Sequence, residues 1–229
     1  MSMGLVFVTA PDADYKLINL FLMHIRDWEY EDVNPTTYGN FKLVTSKNPY
    51  DLNMPERRLR SDTRKMRETS LPLSSSVQNA WAGAALEEVE AYCLYSARHD
   101  AYEGKGMYNN NIYVVVDSTG LLSHTCVLGE RAVVYGDNGV EEFEPLDGFN
   151  KMRVPWELVY VIFCNLVVAD LSFEDFTQEF YDGYDGDDRS VGKDGWWTYK
   201  DVSGGFNLSE DNRGRREREV QRYRDAGHI

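Results

Sequence analysis

Four aspartates, Asp182, Asp185, Asp187 and Asp188, fall within seven residues of one another. Carboxylates at that density could gather a hard cation such as calcium, which takes roughly six to eight oxygen ligands. The spacing does not suit it. An EF-hand loop needs oxygen ligands at its first, third and fifth positions. With Asp182 first, the third and fifth are Tyr184 and Gly186; with Asp185 first, the fifth is Arg189. The four histidines, His24, His99, His124 and His228, form no HExxH and no pair at ligand spacing. No metal site is therefore expected.

Nucleophile chemistry has two candidate starting points. Cys126 stands two residues after His124 in a strand-like run, so a regular strand would put both side chains on one face. A base on one strand and a thiol on the next could make a nucleophile pair. The apolar surroundings of Cys126 favour a packed thiol beside a surface histidine. Asp117-Ser118-Thr119-Gly120 has its glycine three residues after the aspartate. The aspartic-protease pattern needs it two after, in two copies, and the chain has no second copy. A hairpin turn is the expectation there. Glu103-Gly104-Lys105-Gly106 lacks the length and spacing of a phosphate loop. No catalytic residue and no cofactor is assigned, so the reading leans away from an enzyme.

The most unusual stretch is Phe180 to Asp201, with six aspartates, four glycines, three tyrosines and the pair Trp196-Trp197. Trp and Tyr bury much area at small entropy cost and dominate interface hot spots. The aspartates would keep such a segment soluble, and the glycines would let it turn. Tyr184, Asp185, Asp187, Asp188, Trp196, Trp197 and Tyr199 are accordingly the residues expected to contact a partner. A positive face, Arg57, Arg60, Arg64 and Arg67 with Arg58 and Lys65 beside it, is expected to pair with acidic groups of this chain or of a partner.

These residues need elements to place them. The run 4–9 is strand-like, and a helix opens after Pro11-Asp12 with Ile18, Phe21, Leu22, Ile25 and Trp28 on one face. Asn34-Pro35 would end it. A strand follows at 41–45 and a short helix at 56–68. Ser75 with Gln78 has the form of a capping box for a helix running to about His99. Its apolar stripe is Val77, Trp81, Ala84, Ala85, Val89, Tyr92 and Cys93. The period then changes, and strands at 111–116, 121–128, 131–135 and 140–143 alternate with Gly, Asn and Asp turn signals. Pro155 opens a core segment to Asp170, read as a helix from its length and from Pro at the first turn, with a strand as the alternative its Val/Ile content leaves open. Ser172 caps a short helix carrying Phe173, Phe176 and Phe180. The last segment, 209–226, is an Arg/Glu helix with only Val220 and Tyr223 as apolar positions, a pattern that is either solvated or held by a partner.

The expected fold is α+β: a short antiparallel β-meander packed by three or four helices. One domain is expected over 1–181, with an acidic aromatic loop and a charged helical arm over 182–229. The 229 residues are 42% hydrophobic, enough for a core. Cys93, Cys126 and Cys164 are far apart and read as reduced thiols of a cytoplasmic protein. No basic-then-apolar leader opens the sequence, and no run is apolar enough to suggest a membrane partner. Net charge is −14, and residues 71–150 carry three basic against twelve acidic groups, net −9. That field disfavours nucleic acid and attracts basic partners. The expected function is a non-enzymatic acidic protein that captures a basic, nucleic-acid-handling partner, as an inhibitor or immunity-type protein of viral or defence origin would. The alternatives are a structural subunit of a homo-oligomeric or virion-like assembly, and an enzyme whose site is scattered through the sequence.

Overall fold

The computed structural model describes residues 3–29, 41–49, 69–103, 108–132, 134–135, 141–142, 148–168, 170–178 and 195–229. The helix expected at 56–68, with its arginine face, lies outside them, as do Tyr184, Asp185, Asp187 and Asp188. The fold is α+β. A six-stranded mixed sheet runs in the order β2-β1-β3-β4-β7-β8. Its strands are β1 (Met3–Val8), β2 (Phe41–Leu43), β3 (Tyr108–Val116), β4 (Thr125–Arg131), β7 (Phe149–Pro155) and β8 (Trp196–Trp197). A separate two-stranded ribbon pairs β5 (Val134–Tyr135) with β6 (Glu141–Glu142). Of the strands expected to form a meander, those at 111–116 and 121–128 pair antiparallel as β3–β4, those at 131–135 and 140–143 pair in the separate ribbon, and β4 pairs on with β7, a strand the sequence did not announce. Parallel pairs extend the sheet: β1 with β2 and β3 on one side, β7 with β8 on the other.

The pleat alternates side chains between two cores. Val6 and Val8 of β1, Val114 and Val116 of β3, and Met152 and Val154 of β7 face α1 (Tyr15–His24) and α4 (Val159–Val168). Leu5, Phe7, Tyr113 and Val115 face α2 (Leu86–Glu103). The central strands are thus buried on both faces, which explains their unbroken apolar runs. α1 buries Ile18, Phe21 and Leu22 as its periodicity demands, with the Asp14 carboxylate capping the Leu17 N–H at 2.9 Å. It ends at His24, ten residues before the expected stop at Asn34-Pro35.

Two expectations are corrected. Residues 74–85 are not helical, and the Ser75–Gln78 capping box does not form; α2 begins at Leu86. The side chain of Asn79 donates to the Val8 carbonyl at 2.7 Å and accepts from the Trp81 N–H at 3.1 Å. Such side-chain bonds compete with the helical ladder, and Gly83 then adopts φ +77. The buried Trp81 ring is locked against Phe7 and Tyr92 from this loop. Residues 118–120 are not a hairpin turn either, and the strand expected at 121–128 starts only at Thr125. Asp117 caps α3 (Ser118–Ser123), accepting from Gly120 N–H at 2.7 Å, and His124 ends it at φ 52 in the left-handed region.

The C-terminal helix α6 (Glu210–Asp225), preceded by the short α5 (Ser203–Phe206), lies against α1. It buries Tyr223 and Arg216. Among the described residues, no helix is long and apolar enough to cross a membrane.

Candidate protein-contact site

β8 consists of the two tryptophans, and strand geometry sends them to opposite faces. Trp197, opposite Met152 in the register, packs onto the core shared by α1 and α4. Its indole N–H donates to Asn150 Oδ1 at 3.1 Å, and its ring meets Phe173 edge-on at 6.3 Å. Trp196, opposite Lys151, keeps 38% of its surface exposed. One ring anchors the edge strand and the other is presented.

The entry to β8 is fixed by Gly195. Its φ is +77, and a Cβ there would stand 2.3 Å from the Phe149 carbonyl oxygen. Only glycine combines that backbone with that approach. Beyond β8, Tyr199 bridges to Thr177, so the pair does not end in a loose loop. The Tyr199 hydroxyl accepts from the Val202 N–H at 3.2 Å. Burial raises its pKa; the Val202 bond opposes this and Asp201 adds to it.

A buried ion pair supports the strand beside Trp196. Lys151, which is buried, lies 3.0 Å from Glu90 of α2, and the Tyr113 hydroxyl donates to the same carboxylate at 2.8 Å. Burial, followed by the charge of Glu90, raises the Tyr113 pKa. The Tyr113 ring covers Gly129, where a Cβ would fall 2.2 Å from it. On the opposite face, Glu130 pairs in register with Asn150, the residue that receives the Trp197 indole. Burial, helped by Glu174, pushes the Glu130 carboxyl up to about 7.

The nucleophile candidates separate. His124 is the left-handed residue before β4, exposed and stacked on Trp156 at 4.7 Å, so it does not share a strand face with Cys126. Cys126 is fully buried, which raises its pKa and keeps it a thiol. Asp117 is held by both guanidinium nitrogens of Arg153, at 2.6 and 3.0 Å. Burial would raise its pKa, but the Arg153 bonds and the Gly120 N–H outweigh it and the carboxyl lies below its usual range. A carboxylate committed this way is structural. Among the described residues, no group of three or more His, Cys, Asp and Glu is placed to hold a metal ion.

Of the sequence-predicted contact residues, Trp196, Trp197 and Tyr199 are thus brought onto one edge of the sheet. Their supports, Asn150, Lys151, Glu90 and Gly195, carried no sequence signal beyond the glycine. No protein-family model matches the chain, and neither a curated protein nor a solved structure does.

Proposed function

We propose that this protein acts by binding another protein through the edge that carries Trp196. The observation that supports the reading is the division of labour in β8. Trp197 is tied to Asn150 and Phe173, while the adjacent Trp196 on the same strand keeps 38% of its surface exposed. A large aromatic presented by an anchored element has its entropy already restricted, so its burial on contact is favourable. The net charge of −14 and the aspartates that precede Trp196 in sequence suit a basic protein partner. Capture of a nucleic-acid-handling protein, as an inhibitor would achieve, fits that chemistry.

The test compares the wild-type chain with Trp196→Ala as bait in cells, with quantitative mass spectrometry of what is retained. The expected result is one basic protein enriched by the wild type, lost with Trp196→Ala, and bound again when both purified proteins are mixed. Identical retention by the two baits would remove the edge from recognition. A wild-type mass of two chains or more in light scattering, reduced to one by Trp196→Ala, would instead assign the edge to self-assembly.

A further inference from the structure

Glu130 stands near the end of β4, between Ile112 of β3 and Asn150 of β7 in the sheet register. The pleat places it on the face of Cys126 and Leu128, under α1 and α4, and sends Arg131 and Lys151 to the other face. Asn150 in turn receives the Trp197 indole. The cover over this end of the sheet is the capped 3-10 turn Phe173–Phe176. Phe173 meets the Trp197 ring, and Glu174 brings a second carboxylate to act on Glu130. Asp175 is committed to the cap, accepting from the Ser172 N–H at 2.8 Å. Among the described residues, the charge set against Glu130 is thus Glu174, which has the same sign.

The turn and the tryptophan edge are joined. The chain leaving the turn pairs with the chain leaving β8. The Gln178 N–H donates to the Thr198 carbonyl at 2.9 Å and the Lys200 N–H to the Phe176 carbonyl at 2.9 Å, on either side of the Thr177–Tyr199 bridge. An ionised Glu130 needs water and distance from Glu174. The central strands supply neither cheaply, because β4 is paired on both sides and meets β7 along all seven of its residues. β8 has two residues and the turn has four. Local opening takes the least anchored elements first. The turn and β8 are therefore the elements whose movement hydrates Glu130 at least cost.

We propose that Glu130 and Glu174 form a pH-sensitive latch on the Trp196 edge. With the Glu130 proton in place, the turn and β8 lie closed on the sheet. When the proton leaves, a minor state in which the two lift as a unit gains population, and Trp196 loses its fixed seat. Burial, helped by Glu174, sets the loss of that proton at about 7. A carboxyl that holds its proton more tightly closed than open stabilises the closed state in full below about pH 4, and this contribution is lost as pH rises through 7. The latch stands on its own geometry; its use in recognition rests on the reading of Trp196 as a contact.

Hydrogen exchange of the full chain tests it without a partner, each amide being divided by its intrinsic rate at that pH. Between about pH 6 and about pH 8 the Gln178 and Lys200 amides should lose protection by about tenfold. The Val44 amide, bonded to the Val6 carbonyl at the other end of the sheet, should keep its own. Glu130→Gln, an uncharged isostere of the protonated acid, should hold Gln178 and Lys200 flat across that range. Glu174→Gln, at an exposed position, should shrink the change, because the Glu130 proton then leaves at lower pH. Flat protection in the wild type, a fall that Glu130→Gln retains, or a fall shared by Val44 overturns the latch. So does a Glu174→Gln variant that behaves as the wild type, and that variant decides if Glu130→Gln does not fold. If Trp196→Ala leaves capture unchanged while the amides respond as expected, the recognition reading fails and the latch remains, so the two failures are told apart.

Discussion

At the scale of single residues, the two adjacent tryptophans are one sequence motif with two physical roles. Trp197 is half-buried, hydrogen-bonded and in ring contact. Trp197→Ala should cost about 2–3 kcal/mol, less than the about 3–5 kcal/mol of a fully buried Trp→Ala. Trp196→Ala should cost less, about 1–2 kcal/mol, because 38% of its surface is already exposed. Denaturant melts of the two variants measure the difference directly, and equal losses would mean that Trp196 is packed as well. Glu130 supplies a second test at this scale, through pH. Its carboxyl is held at about 7 in the fold against about 4.3 in an unfolded chain. A raised acid pKa means that the fold prefers the protonated form. This contribution is fully present below about pH 4 and is lost as pH rises through 7. Wild-type stability should therefore fall by about 2–3 kcal/mol more than that of Glu130→Gln between pH 5 and 9. Parallel stability–pH curves for the two would show that the carboxyl titrates normally.

At the scale of elements, β8 exists because Gly195 admits it. Gly195→Ala meets both a positive φ and the Phe149 carbonyl, whereas Gly83→Ala meets only a positive φ, with open space around it. The second should cost about 1–2 kcal/mol, the price of a left-handed backbone for a residue with a Cβ. Gly195→Ala should cost more and should also release β8, seen as faster hydrogen exchange of the β8 amides that Gly83→Ala leaves unmoved. Equal costs would show that the edge strand is free to shift. Such contacts mark the limit of what the sequence discloses. Periodicity located α1, apolar β-branched runs located β1 and β3, and the length of the apolar segment after Pro155 located α4, because each buries a continuous stripe or run. The short capped turn at Ser172 was also legible, as Ser172 and Asp175 bond reciprocally. Residues 74–85 misled because Ser75 and Gln78 satisfy a local rule while Asn79 is spent on the carbonyl of Val8, 71 residues earlier in the chain. Asp117 misled in the same way: Asp-Ser-Thr-Gly suits a turn, but Arg153 across the sheet and Gly120 fix it as a helix cap. β7 and β8 were missed since Asn150-Lys151-Met152 becomes strand-like only when paired with β4, and the bare Trp pair only when paired with β7.

At the scale of the whole molecule, shape and charge act at different stages of an encounter. A net charge of −14 creates a long-range field that a basic partner feels before contact. On the proposed reading, the Trp196 ring acts only after the surfaces meet. The two should therefore separate in kinetics. The field raises the association rate and is screened by salt, with a Debye length of about 10 Å at 0.1 M and about 3 Å at 1 M. If Trp196 is the proposed contact, the ring governs how long the complex lasts. With the partner recovered through Trp196, stopped-flow mixing should show association slowing by about tenfold or more across that salt range, while dissociation changes little. Trp196→Ala should do the reverse: association within about threefold of wild type, dissociation faster by about tenfold or more. Association that is flat in salt would leave the acidic surface with solubility as its role. A Trp196→Ala variant whose loss lies wholly in association would place the tryptophan in the encounter and not in the bound interface.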